Sequence, residues 1–597
     1  MRRLSLTSFL SLSAALHAAT AAQNPCRCLY GDPSWPSQSE FAHLATQVSQ
    51  PLIHPEPPAK PCYTSVNTSE CVEVTNGWTD GNWRANQTGS MQSPNFETFT
   101  FPNGTVEECL LNTTLALPCG QGSVSAIGVD ARSVGDIQAA VKFAAEHNLR
   151  VVVKNTGHDY CGRSAARGSF LVWTHNLKNI TVHPSFTPAG APINETFEYA
   201  ITLGAGVQWH EAYAAANASG RTLVGGTSHG GSVGAAGGWL QGGGHSSLSA
   251  SFGLGVDNVL EFSIVTSNGS YIVTNAHQYP DLFWALRGGG GGTFGVVISV
   301  TYRTRPTFPI MTVFLTATAN TSTPNSGLSQ AFTELVRITP QLTDQGWGGY
   351  APFNNPTSNS TSFTVISIVP TISQDAAGQA NATMTGYLVY LQELAANSTQ
   401  SGNPADAVTL QGASTTSFAS WYDWYTALWS TGEQEGIGLG AEVGSWLIPR
   451  DLVGSDHERV AQTLLSIPQA GWFMVAGGAV SNVTASDTGL NPAWRTAAAH
   501  VPFGFTWTEG TTLDEINALR DTLKSNIAKL RALAPESGAY LNEASLYEPD
   551  SAHSFFGSHY DQLRAIKAIY DPVDLFIVVE GVASNEWDGS LTCRKPT

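Results

Sequence analysis

Half of the twenty residues from 225 to 244 are glycine, ending in the run Gly242-Gly243-Gly244. Glycine weakens helix and strand interiors because it loses the most backbone freedom on ordering. Scattered turns do not explain such density, so this segment is a loop wrapped closely around something. A second loop of similar character, Lys154-Asn155-Thr156-Gly157-His158-Asp159-Tyr160-Cys161-Gly162-Arg163-Ser164, follows the apolar run Val151-Val152-Val153. Consecutive backbone N–H groups in such loops cradle anions without basic side chains. A dinucleotide pyrophosphate suits them, and it suits a chain with 28 Lys+Arg against 46 Asp+Glu and a net charge of −18. That charge argues against nucleic-acid binding, which needs a basic surface. The nicotinamide fingerprint G-x-G-x-x-G is missing from the first strand-to-helix turn, at Asp130 to Ser133.

The chain begins Met1-Arg2-Arg3, continues in a mostly apolar run to Leu16 and passes through Ala18-Ala19-Thr20-Ala21-Ala22. These are the parts of a secretory signal peptide, with cleavage expected between Thr20 and Gln23. No later stretch is long and apolar enough to span a bilayer. Sequons stand at Asn67, Asn86, Asn103, Asn112, Asn179, Asn194, Asn217, Asn268, Asn320, Asn359, Asn381, Asn397 and Asn482, which predicts a glycoprotein. Of the eight cysteines, Cys62 with Cys71 and Cys109 with Cys119 look like local staples, and Cys593 is left for Cys26 or Cys28. A zinc site at Cys26-x-Cys28 lacks a second ligand pair, and no metal site is expected. The mature protein is predicted to be a secreted, soluble monomer carrying N-glycans, with no nucleic-acid or membrane partner.

With 597 residues, 42% hydrophobic and 12% charged, several lobes with large cores are available. Residues 23–118 read as an irregular arm. A strand over 124–127, a helix capped by Ser133 with Ile137, Ala140, Val141 and Ala144 on one face, and a strand at 150–154 make a β-α-β unit. Further strands are expected at 199–203, 259–265, 271–273 and 295–302. From about 309, strands at 311–315, 363–370 and 472–476 alternate with helices at 378–395 and 513–533. The tail carries a helix at 560–570 and a strand at 575–579. The aromatics Trp421, Tyr422, Trp424, Tyr425 and Trp429 lie at helical spacing and read as core.

Asn155 to Tyr160 with Gly162, then Val233-Gly234-x-Ala236-Gly237-Gly238-x-x-Gln241-Gly242-Gly243-Gly244-His245-Ser246, then Gly255-x-Asp257-Asn258-Val259, resemble the vanillyl-alcohol-oxidase-type FAD fold. The likeness is to its berberine-bridge-enzyme-like branch, in particular to fungal isoamyl-alcohol-oxidase-like proteins. It continues in residues 280–290, in Phe294-Gly295-Val296-Val297, in Tyr540-Leu541-Asn542-Glu543 and in Tyr570-Asp571-Pro572. The resemblance implies an α+β fold: a PCMH-type two-lobed FAD-binding domain (119–308) with an inserted α+β substrate domain (309–535) and a returning tail (536–597). It implies FAD joined to His158 through an 8α-histidyl bond. Many relatives add a cysteinyl tether where this chain has Gly230, so a single covalent bond is expected, and Cys161 is expected to be a free, partly buried thiol.

The same resemblance assigns to cofactor binding Asn155, Thr156, Gly157, Asp159, Gly162, Arg163 and Ser164 from the first loop. From the second it assigns Val233, Gly234, Gly237, Gly238, Gly242, Gly243, Gly244 and His245, and beyond it Val297. Tyr160 is a further candidate for lining the flavin. At the flavin face, Tyr540 or Glu543 is the candidate base and Asn542 the hydrogen-bond donor, against the alternative that Glu543 and Tyr540 are structural. Asp257 and Asn258 order the loop after the glycine run. His229, His245 and His277 suit solvated loop positions as well. The implied activity is hydride transfer from an alcohol, carbohydrate hydroxyl or secondary metabolite to FAD and then to O2, giving hydrogen peroxide. A dehydrogenase or oxidative cyclase with another acceptor, and a flavin-binding protein without turnover, are the alternatives.

Overall fold

The computed structural model describes residues 26–354, 359–401, 406–430 and 436–596, so the expected signal peptide lies outside them. In the first lobe, β1 (Ile127–Asp130) leads to α1 (Val134–Glu146) and β2 (Val151–Lys154). Ser133 caps α1 through its hydroxyl, which accepts from the Asp136 N–H at 3.2 Å. Ile137, Ala140, Val141 and Ala144 are fully buried beneath it. The two strands of the expected β-α-β unit are not neighbours. β3 (Phe170–Trp173), a wholly buried apolar run, lies between them and parallel to both. Buried on both faces, it suits the centre of a parallel sheet.

A second, antiparallel sheet completes the lobe. It holds β4 (Ile180–Phe186), β5 (Phe197–Gly204), β6 (Val259–Val265), β7 (Tyr271–Thr274) and β8 (Val296–Arg303) in the order β7-β6-β8-β5-β4. Between β5 and β6 runs the glycine-rich segment, preceded by α2 (Trp209–Ala218).

The second lobe is built on one eight-stranded sheet. Its strands are β9 (Ile310–Ala319), β10 (Gly348–Pro352), β11 (Thr361–Pro370), β12 (Thr409–Gln411), β13 (Thr415–Phe418), β14 (Gly440–Pro449), β15 (Gly471–Met474) and β16 (Ala497–Trp507). The order is β12-β9-β11-β10-β15-β16-β14, with β13 also on β9. The helix Ser326–Asp344 and the helix Arg450–Leu465 pack on each other, and the helix Leu513–Leu533 packs on β14 and β16.

The arm is less irregular than expected, since it includes the helices Gln38–Ala45 and Ser69–Gly77. Its first residues bridge to the end of the chain through the disulfide Cys26–Cys593, and the staples Cys62–Cys71 and Cys109–Cys119 form as read. Cys28 is free and buried.

In the tail the helix Tyr560–Tyr570 forms as read, but 575–579 is not a strand. Its backbone bonds are satisfied by side chains instead of a neighbouring strand. Asp571 accepts from the N–H groups of Leu575 (2.8 Å) and Phe576 (2.9 Å), and the buried Lys567 ammonium donates to the Phe576 carbonyl at 2.9 Å. Asp571 and Lys567 are themselves paired at 2.7 Å. This knot sets the tail back against the first lobe, where Lys567 also reaches the Thr293 carbonyl.

Candidate functional site

The two glycine-bearing loops face each other across a cavity of about 390 Å³, closed on a third side by the tail. The first loop leaves β2 and is tied by its own acid. The Asp159 carboxylate accepts from the N–H groups of Cys161 and Arg163, each at 2.9 Å, and pairs with the Arg163 guanidinium at 2.8 Å. Arg163 then donates to the carbonyls of Val579 (2.9 Å) and Leu541 (3.2 Å), fastening loop to tail. His158 lines the cavity, its Nε2 2.8 Å from the Ser232 hydroxyl of the opposite loop. Burial pushes its imidazole down to about 4, so it is neutral across the ordinary pH range.

Two contrasting groups stand out among the glycines, while Gly226 and Gly234 both line the cavity and crowd neighbouring side chains. A Cβ on Gly238 would meet nothing within 4 Å, and one on Gly237 only the Asn155 amide at 3.8 Å; both residues line the cavity. There the absent side chain leaves room for a ligand. Gly162, Gly242, Gly243 and Gly244 do not line the cavity. A Cβ on Gly242 would fall 2.4 Å from Asn542 Oδ1, one on Gly244 2.7 Å from the Trp239 ring and one on Gly162 2.8 Å from Phe96. At these positions an added side chain would collide with protein atoms, a reason for glycine that needs no ligand. The remaining first-loop candidates (Asn155, Thr156, Gly157, Asp159, Tyr160, Arg163 and Ser164), together with Val233, Gly234 and Val297, reach the cavity.

Several buried polar atoms in this lining have no protein partner: Asn155 Oδ1, Gln241 Oε1 and Ser228 Oγ. Buried polar groups are rarely left unpaired. Orphaned polar atoms around an open glycine cradle are what a bound dinucleotide would satisfy, and the residues fit FAD.

At the tail side, Tyr540, Asn542 and Glu543 all line the cavity. The Asn542 amide donates to the carbonyls of Gly238 (2.9 Å) and Trp239 (3.1 Å) and to Tyr540 Oη (2.8 Å). It braces the glycine turn. Burial, with the Glu543 charge second, pushes the Tyr540 phenol well above its usual range. Burial also opposes ionisation of Glu543, but the charge interaction with His245, then donation from His245 to Oε1 (2.9 Å) and from His500 to Oε2 (2.7 Å), outweigh it and hold the carboxyl well below the usual carboxylate range. His245 is thus a buried partner of Glu543, in place of a solvated loop residue. His229 also lines the cavity, whereas His277 pairs with Glu195 away from it.

His500 carries no signal in the sequence, and Trp429 reads there only as core. His500 is a lone histidine in the alternating run of β16 and carries no local motif. Trp421, Trp424 and Tyr425 are core as expected, but Trp429, just past the helix Trp421–Leu428, lines the cavity. Asp257 orders its loop by accepting from the Leu254 N–H and pairing with Arg495 at 2.7 Å, and Asn258 donates to the Leu254 carbonyl. Cys161 is free and fully buried, its thiol pushed up to about 12 by burial, and neither free cysteine lines the cavity.

Comparison with known proteins places these features among relatives. Residues 126–275 match the family model for an FAD binding domain, and residues 539–582 the model described as berberine and berberine like. The chain is 36% identical over 99% of both chains to an uncharacterized FAD-linked oxidoreductase of Arthroderma benhamiae. It is 32% identical, again over 99% of both, to the VAO-type flavoprotein oxidase VAO615 of Thermothelomyces thermophilus. Among solved structures, the VAO-type flavoprotein MtVAO615 from Myceliophthora thermophila superposes with a TM-score of 0.80 at 30% identity, covering 96% of this chain and all of that one. Berberine bridge enzyme, at 14% identity and a TM-score of 0.63 over 91% of this chain and 99% of that one, shares the fold.

Proposed function

Because the chain belongs to the FAD-linked oxidoreductases of the vanillyl-alcohol-oxidase type with a berberine-like tail, we propose that it is a secreted oxidase that holds FAD through a single covalent bond to His158. The observation that carries this reading is His158 itself: one neutral imidazole, aimed by Ser232, in the wall of a cavity ringed by orphaned polar atoms. A neutral imidazole is the nucleophilic form. The absence of a cysteine from the described cavity wall supports one tether. Asn155, Gly237, Gly238 and Gln241 would hold the cofactor, which when bound supplies a two-electron acceptor for a substrate hydride and passes the electrons to O2 as hydrogen peroxide.

The chain's own residues divide the remaining work. Asn542 is a positioning residue, because its amide is committed to the glycine turn. Tyr540 is the poorer of the two candidate bases, since its phenol is hard to ionise and its oxygen already accepts from Asn542. That leaves the Glu543 carboxylate, ionised and with a quarter of its side chain exposed, as the proposed proton acceptor, with its basicity lowered by the two histidines that hydrogen-bond it. Trp429 and Tyr540 supply apolar walls for a small molecule. The three disulfides suit an oxidising compartment, and no sequon asparagine is buried, which supports a secreted glycoprotein.

The oxidase assignment is tested without knowing the substrate. The purified protein is photoreduced under nitrogen and mixed with aerated buffer. Rapid reoxidation with one hydrogen peroxide per flavin is expected. Slow reoxidation, or electrons recovered only with an artificial acceptor, would favour the dehydrogenase reading.

A further inference from the structure

Three side chains from distant parts of the chain meet at the cavity: His245 and Glu543 line it, and His500 lies buried behind them. His245 closes the second glycine run, His500 stands on β16 and Glu543 belongs to the tail. Their ligand-type atoms all lie within 4.8 Å of one another. Both histidines turn Nε2 to the same carboxylate, one to each oxygen. Among the described residues no Lys or Arg forms an ion pair with Glu543. His500 is fully buried against the rings of Phe473, Trp494 and Tyr540, with centroids 5.5–5.9 Å away.

His500 reaches the carboxylate from a fully buried position, and His245 reaches its other oxygen from the cavity side. A buried carboxylate is normally paired with a cation or bound to a metal. Two imidazole nitrogens and one carboxylate form a donor set that takes first-row divalent cations, Zn(II), Co(II), Mn(II) and Fe(II) among them.

We propose that His245, His500 and Glu543 form a site for a divalent transition-metal ion, with its open coordination positions toward the cavity. The side chain of His500 is 0% exposed, that of His245 10% and that of Glu543 25%, so approach is from the cavity alone. The sequence contains no metal motif at these positions, because the ligands lie 255 and 43 residues apart. The Nδ1 atoms of both histidines lack partners among the described residues. The site therefore has no outer shell behind its imidazoles, a deficit of roughly 10–100-fold in affinity, and its ion exchanges on dialysis. An ion there would bind an oxygen donor on the substrate, a hydroxyl or a carboxylate, and lower its pKa. That role rests on the flavin reading above; the metal site itself does not.

The test uses tag-free, flavin-loaded protein, stripped with chelator, dialysed and titrated with Co(II). Saturable binding of one ion per chain with a visible d–d band is expected, displaced by Zn(II). Glu543→Gln and His500→Asn should each weaken binding at least tenfold, with the flavin-to-protein ratio and far-UV circular dichroism confirming that each variant is folded. An X-ray anomalous map of Zn(II)-soaked crystals locates the ion independently of any variant. A yellow protein that binds no Co(II), or one whose binding is unchanged in Glu543→Gln, overturns the metal site and leaves the flavin reading intact. A colourless protein that binds Co(II) does the reverse.

Discussion

Replacing Gly238 by Ala separates the needs of the fold from those of the ligand. Gly238 opens the single helical turn Gly238–Gln241, and an added Cβ meets no protein atom within 4 Å. Its backbone does not adopt positive φ. The fold should therefore accept the methyl, and Gly→Ala at a compatible position stabilises by about 0.4–1 kcal/mol. The same methyl projects into the cradle. Overfilling a close-packed contact costs about 1–3 kcal/mol, which weakens a ligand by roughly five- to a hundred-fold. A His158→Ala background makes FAD binding reversible so that it can be titrated by quenching of flavin fluorescence. His158→Ala/Gly238→Ala should bind FAD five- to a hundred-fold more weakly than His158→Ala alone, while its urea midpoint without FAD is equal or higher. Unchanged FAD affinity would show that the cradle at Gly238 is not where the cofactor lies, and the division of the glycines into two groups would fall.

Other consequences follow from the packing. Arg84, fully buried, donates to Glu97 at 2.6 Å, so Arg84→Met strands a buried carboxylate and should lower stability by about 3–5 kcal/mol in denaturant melts. Cys593→Ser opens the link between the chain ends and should lose about 2–5 kcal/mol, with faster proteolysis of the tail as the direct readout. Without reductant, a thiol reagent should label nothing in the native protein and two cysteines, Cys28 and Cys161, after unfolding. His175, buried and hydrogen-bonded to Asn86, is pushed down to about 3 by burial. Its unfolded form binds a proton near pH 6.5, so its neutral burial withdraws stability as pH falls from there toward 3. Stability measured across that window should fall less steeply in His175→Asn than in the wild type.

The helix boundaries were legible because their signals are local: Ser133 caps the helix it precedes, and 513–533 and 560–570 show the helical period. So was the first loop, where His158 follows a buried strand. The strand expected at 575–579 failed because its alternating apolar residues are also those of an irregular segment. What decided it was Asp571 and Lys567 capturing its backbone, a tertiary event. In the same way β3 could not be placed between β1 and β2, since strand order is set by burial rather than succession. The glycine run showed that something packs closely there, but not which glycines face a ligand and which face Asn542, Trp239 or Phe96. His500 and Trp429 were hidden for a related reason. Each looks like core in its own segment, and only the closing of the tail on β16 and the glycine loop gives it a chemical neighbour.

The most direct check on the tethered-flavin account is to precipitate the purified protein in acid, digest the pellet and sequence the flavin-bearing peptide. Yellow colour in the pellet and a single modified residue, His158, are predicted. Free FAD in the supernatant, or a flavin carried by a cysteine, would contradict it.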